Sequence, residues 1–292
     1  DRYCSTFNVL HLYLRCFLMS KDFLEEGKNP GLGIRDLHKR GFTGKGVKVA
    51  IIDQKLRLTH IEYKDRIERY IESENIDEHP SMHGSAVSSL LCGADCGVAP
   101  EVSLYYFANK SGRSFKAISN SLNGIIRFNL EKSLKERIRV VSISIGYKNG
   151  VEEEGLIDFK NSVDKALRSG IFVFYITNRH LNFIGGGSDT DKDDPLTYKP
   201  ALYLNGRVRK DSIIVPTDYR AYADYRDDIS YIYEEKGGMS WAEPYLAGLA
   251  ALCLQKNDVL NFPDFMEIAK KTVAHTKDGV GIINPGGIVD SI

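Results

Sequence analysis

The chain has no excess of charge of either sign. Its 292 residues carry 39 basic and 39 acidic side chains, for a formal net charge of +0. The composition therefore lacks the electrostatic footprint of a nucleic-acid or anionic-membrane partner. No apolar run is long enough to cross a bilayer. The most apolar early stretch, VLHLYLRCFLM at 9–19, is interrupted by His11 and Arg15 and has no basic region before it. It does not read as a signal peptide. Zinc spacing is missing too. Of five cysteines, Cys92 and Cys96 lie four apart, and Cys4, Cys16 and Cys253 are scattered. No second pair and no histidines stand in step with them. Five thiols cannot all pair within the chain, so a reduced compartment is the simpler reading, and a cytoplasmic location is expected ahead of a secreted one. Two nucleotide-binding patterns are also absent: a G-x-G-x-x-G after the first strand, and a G-x-x-x-x-G-K-[ST] anywhere.

What is present reads as a large globular unit, with 42% hydrophobic and 27% charged residues. Residues 42–53, FTGKGVKVAIID, place turn signals before a nearly continuous apolar run, the pattern of a strand buried on both faces. Residues 60–80 are polar and read as surface. HGSAVSSLLCG at 83–93 is a small-residue helix made for close packing. Further strands are expected at 102–108, 139–146, 171–178 and 212–218, with helices at 114–135, 156–170, after Ser240, and at 263–273. Gly170 is the terminator of the 156–170 helix. The glycine- and aspartate-rich stretch 185–200 reads as a loop, with Gly185–Gly187 as a flexible rim. Strands alternating with helices imply an α/β fold: a mostly parallel central sheet with helices on both faces. Residues 1–32 form an N-terminal extension and 33–292 the domain.

In such sheets chemistry sits beyond the carboxyl ends of the strands. Four polar residues stand at strand ends or helix starts: Asp53 after VAII, His83 at the small-residue helix, Asn178 after IFVFYIT, and Ser240 in GGMSWAEPYLAGLAAL. Their chemistry is complementary. A serine hydroxyl needs a neighbouring base to become a nucleophile. A histidine can take that proton and return it to a leaving group. A carboxylate holds the imidazole tautomer, and a side-chain amide can donate to a developing oxyanion. Taken singly, Ser240 reads as a helix cap. A ribose-binding role for Asp53 fails, because no G-x-G-x-x-G stands at the right place and the glycines of TGKG come before the strand. His60, His79 and His180 read as surface or loop residues.

The motifs VAIIDQK, HGSAVSSLLCG, GVAPEVSLY, SISIG and GMSWAEPYLAGLAAL, in that order, resemble those of the subtilases, the subtilisin-like serine peptidases. The resemblance runs from about Gly33 to the C-terminus. It implies Ser240 as nucleophile, His83 as general base and acid, Asp53 as orienting carboxylate, and Asn178 as oxyanion donor beside the backbone amide of Ser240. It implies Ser144, Ile145 and Gly146 as the strand that pairs with an extended peptide. It also implies Gly238 as the close approach before the nucleophile, and Pro244 in the first turn of the helix. No cofactor and no metal is implied: the segment from Leu91 to Gly97 is too short for the calcium loop of many family members, and Asp189, Asp191 and Asp193 fail the later requirements of a calcium loop. The partner implied is a peptide or protein substrate.

The chain departs from the family at four places. Gln54 and Lys55 stand where a small hydroxyl residue and Gly are usual, and Met239 and Trp241 where Thr and Met are usual. These departures motivate the alternative of a pseudo-peptidase acting as a binding or regulatory module.

Overall fold

The computed structural model describes residues 23–292 apart from 74–75, 112–113, 148–149, 152, 177–181, 205 and 207. Asn178, His180, Cys4, Cys16, the 9–19 stretch and most of the expected extension lie outside the described residues.

The first half alternates as expected. Helix α1 spans Ile34–Lys39, strand β1 Lys48–Gln54, β2 Ile67–Glu72, helix α2 Met82–Cys92, β3 Ser103–Asn109, α3 Phe115–Asn129, β4 Ile138–Ile143, α4 Leu156–Arg168 and β5 Phe172–Tyr175. The strands form one five-stranded sheet in the order β2-β3-β1-β4-β5, parallel at every pairing. The apolar run of β1 explains its central place. Val49 and Ile51 face one core with α2, whereas Ala50 and Ile52 face a second core with α3 and α4. Each face must be covered, which is why the run is continuous rather than alternating. Helix α4 ends as read, with Ser169 at its C-cap and Gly170 at a φ of +78°.

The second half adds β6 (Phe183–Gly187), β7 (Lys199–Pro200), β8 (Ile213–Pro216), β9 (Arg220–Ala223) and β10 (Tyr231–Glu234). Helices α5 (Ala242–Lys256) and α6 (Phe262–Lys271), strands β11 (Ala274–His275) and β12 (Gly281–Ile282), and helix α7 (Pro285–Asp290) follow. A second sheet has the order β11-β12-β8-β6-β7, and β9 and β10 form an antiparallel pair. Helix α5 is buried almost all round, from Ala242 to Leu254. It packs between α2 and strands β4 and β5.

Two expectations are corrected here. Gly185–Gly187 belong to strand β6 rather than to a flexible rim. A Cβ at Gly185 would lie 2.5 Å from the hydroxyls of Thr217 and Tyr203, and one at Gly186 2.4 Å from the Lys199 carbonyl. The glycines are there for close backbone approach, not for mobility. The polar stretch 60–80 is not all surface: His60 and Tyr63 are fully buried, Glu62 is buried, and β2 runs through it. The Glu62 carboxylate accepts from the amides of Asp95 (3.2 Å) and Cys96 (3.1 Å) and from the Tyr231 hydroxyl (2.6 Å). These bonds satisfy a charge that would otherwise stay in water. They also hold the short turn after α2.

Candidate active site

β1 ends at the C-terminal edge of the first sheet, and Asp53 sits in its last turn of pleat. α2 starts nearby because Ser81 caps it: the Ser81 hydroxyl accepts from the His83 amide at 3.0 Å. The small residues that follow allow this close seat. A Cβ on Gly84 would come within 2.6 Å of the Tyr106 hydroxyl and 2.8 Å of the Gln54 carbonyl. The outcome is a direct contact between two predicted site residues. His83 Nδ1 donates to Asp53 Oδ1 at 2.7 Å, with the Asp53 side chain 5% exposed and that of His83 22%. The amide of Gln54 donates to the same oxygen at 2.8 Å. Burial opposes charge on the imidazole, but the Asp53 carboxylate, through its charge and hydrogen bond, outweighs it and leaves His83 raised above the ordinary histidine value.

Ser240 lies in the short 3₁₀ turn Met239–Trp241 that leads into α5. The Ser144 hydroxyl donates to the Ser240 carbonyl at 2.7 Å, joining the end of β4 to this turn. Trp241 lays its ring against His83, with centroids 5.5 Å apart, and against Tyr222 at 5.3 Å. Thus Asp53 and His83 are in hydrogen-bond contact, and Ser240 stands on a turn packed against the His83 helix. Among the described hydrogen bonds, the His83 ring makes the one to Asp53 and none to Ser240 Oγ. Bonds of this kind are often long without substrate and tighten on binding. An open cavity of about 220 Å³ lies beside the pair, lined among others by Asp53, His83, Asn109, Ile118, Ser144 and Ile145. Ile145 lies one residue beyond Ser144, and its carbonyl accepts from the Ile176 amide at 3.1 Å. Asn178 lies outside the described residues.

Two glycines lead to Ser240, and Gly237 is the one crowded by the rest of the protein. A Cβ at Gly237 would lie 1.9 Å from the Thr217 carbonyl and 2.7 Å from the Trp241 ring, whereas one at Gly238 meets nothing. Sequence reading missed Asp218, whose carboxylate accepts from the Gly237 amide at 3.0 Å and from the Thr217 hydroxyl at 2.9 Å. Burial raises Asp218 above the usual carboxylate range, against both bonds. Nothing local in the sequence announces this contact, since its partners lie 19 residues apart. Glu243, in the first turn of α5, was also missed. It is 4% exposed, and burial pushes its carboxyl up to about 8.

Ser81 did carry a signal, a serine two residues ahead of the helix histidine. His79 is exposed, as expected, whereas His60 is buried with Nε2 donating to the Ser230 carbonyl at 2.9 Å. Cys92, Cys96 and Cys253 are buried free thiols. Among the described residues there is no group of three or more His, Cys, Asp or Glu placed to hold a metal, and no helix long and apolar enough to cross a membrane.

The Subtilase family model matches residues 44–215. This chain belongs to the subtilase family. Family membership makes it a serine peptidase in class, and peptides or proteins its class of substrate. The chain is 26% identical over 266 residues to subtilisin DY of Bacillus licheniformis, covering 84% of this chain and 91% of that protein. It is 23% identical over 248 residues to the major intracellular serine protease of Bacillus subtilis (strain 168), covering 74% and 71%. Among solved structures, the prenylagaramide maturation protease PagA superposes with a TM-score of 0.63 at 16% identity, covering 88% of this chain and 97% of that one. That last likeness concerns the fold.

Proposed function

We propose that the protein is an endopeptidase that cleaves peptide bonds through an acyl-enzyme on Ser240. The observation that carries this reading is the half-buried 2.7 Å contact between Asp53 and His83, set beside the helix mouth that bears Ser240. Asp53 holds the Nδ1–H tautomer, so that Nε2 is the free base. Nε2 takes the Ser240 hydroxyl proton as Oγ bonds to the substrate carbonyl carbon. The tetrahedral oxyanion is received by the Ser240 amide and, by the family resemblance, by the Asn178 side chain. The carbon–nitrogen bond then breaks, and the imidazolium gives its proton to the departing amine. Water, deprotonated by the same imidazole, attacks the ester and releases the acid and free Ser240. By the family resemblance, Ser144, Ile145 and Gly146 are the segment that pairs with an extended substrate.

The test is labelling with a fluorophosphonate probe. The wild-type protein is expected to be labelled and the Ser240→Ala protein not. A folded wild-type protein that takes no label would exclude the peptidase reading and leave the binding-module alternative. Replacing Asn178 by Ala is expected to lower kcat roughly 10²–10³-fold, a scale that comes from subtilisin, a member of the same family.

A further inference from the structure

Gln54 stands where the family has a small hydroxyl residue beside the catalytic carboxylate. Its side chain does not take over that task. The Gln54 backbone amide donates to Asp53, while Gln54 Oε1 accepts a short hydrogen bond from the Ser81 hydroxyl. Ser81 is the cap of α2, and its oxygen accepts from the His83 amide at 3.0 Å. A serine hydroxyl has one proton to give. With that proton committed to Gln54, the oxygen lone pairs stay aimed at the first turn of the helix. Two further bonds brace the same junction: the Ser81 amide donates to the Lys55 carbonyl at 2.7 Å, and the Tyr106 hydroxyl donates to the Gln54 carbonyl.

The chain thus runs two links side by side between β1 and α2. One joins Asp53 to His83. The other joins the residue after Asp53 to the residue two before His83. We propose that Gln54 is a positioning residue which, through Ser81, fixes the helix turn that sets His83 against Asp53 and toward Ser240. The inference rests on the peptidase reading for its kinetic consequence. In this arrangement Gln54 and Ser81 form one device. Loss of the Gln54 acceptor frees the Ser81 hydroxyl to rotate away from the His83 amide, and the imidazole then samples orientations in which it meets Asp53 less often. Small misplacements of a catalytic group cost far more rate than binding.

The experiment is a double-mutant cycle on purified full-length protein with a peptide substrate. Gln54→Leu keeps most of the volume and the backbone donor to Asp53 but removes the acceptor. It is expected to lower kcat roughly ten- to a hundredfold with KM near wild type. Ser81→Ala is expected to do the same, and the double variant is expected to be no worse than Ser81→Ala alone, the signature of one shared interaction. Gln54→Glu restores an acceptor oxygen and is expected to recover most of the rate. Additive losses in the double variant, or wild-type kcat in folded Gln54→Leu protein, would overturn the proposal. A second readout does not need turnover. NMR titration of the His83 ring is expected to give a lower pKa in Gln54→Leu than in wild type and, with a second carboxylate beside Asp53, one no lower than wild type in Gln54→Glu. Identical titrations in all three proteins would overturn it as well. Should wild-type protein cleave no peptide and take no probe, the peptidase reading falls, and this titration alone decides whether the link positions His83.

Discussion

At the scale of single residues, two titrating groups lead to opposite experiments. His83 must be neutral to act as a base, and its folded-state value is raised because the Asp53 carboxylate outweighs burial. Activity is therefore expected to fall as pH drops through a value above that of an ordinary histidine. Asp53→Asn removes the raising charge and offers the wrong hydrogen-bonding partner. The pH–rate profile should then show its acid limb at lower pH, with kcat reduced by roughly 10⁴-fold. Glu243 runs the other way. Its carboxyl is pushed up to about 8 by burial, so the folded protein holds a proton that the unfolded chain gives up near 4.5. Folding stability is then fully present below the unfolded value and is lost as pH rises toward 8, at a limiting slope of about 1.4 kcal/mol per pH unit. Glu243→Gln carries no such proton. Melting scans at several pH values are expected to show the variant gaining on the wild type from pH 5 to pH 8, and parallel curves would contradict this.

Among the elements, the turn into α5 is closely seated on its neighbours. Gly237 has no room for a methyl group, because the Thr217 carbonyl and the Trp241 ring occupy it. Gly237→Ala is expected to push the Met239–Trp241 turn off its seat. Labelling by fluorophosphonate should drop at least tenfold, and thermal stability should fall by roughly 1–3 kcal/mol, the usual range for overpacking. Gly238→Ala, two residues before Ser240 with open space at its Cβ, should fold as the wild type does, which a melting scan checks. How legible these elements are follows from their partners. The Asp53 strand and the His83 helix could be read because a buried parallel strand and a close-packed helix each impose a local pattern. Ser240 could be read from the apolar run behind it. The glycine triplet of β6 could not, because its reason lies in Thr217, Tyr203 and Lys199, residues that only the folded chain brings near. Gln54, Asp218 and Glu62 were opaque for the same reason. Each has a polar group answered by an amide or hydroxyl 19 or more residues away, and a lone sequence carries no trace of such pairings.

At the scale of the whole molecule, two cores on opposite faces of one parallel sheet account for the order of the site. Every strand of that sheet runs the same way, so Asp53, Ser144 and the exit of β5 reach the same edge, and α2 and α5 approach from one face. Four strands of this sheet were visible in the sequence, since burial on both faces leaves unbroken apolar runs, whereas β2, which reads IERYIE, was not. Of the second sheet only β8 was visible, within 212–218; its other strands are two to five residues long, and three of them contain glycine or proline. The one tryptophan of the chain stands at the junction of the two halves, 5% exposed, between His83 and Tyr222 of the β9–β10 pair. The protein therefore has a built-in optical gauge. A protonated imidazole against an indole quenches its emission, and at 5.5 Å the charge is within reach of the ring. Fluorescence of native protein should dim with acid along the His83 titration, with no substrate present. In denaturant the same signal should shift to the red once, as the two halves part together.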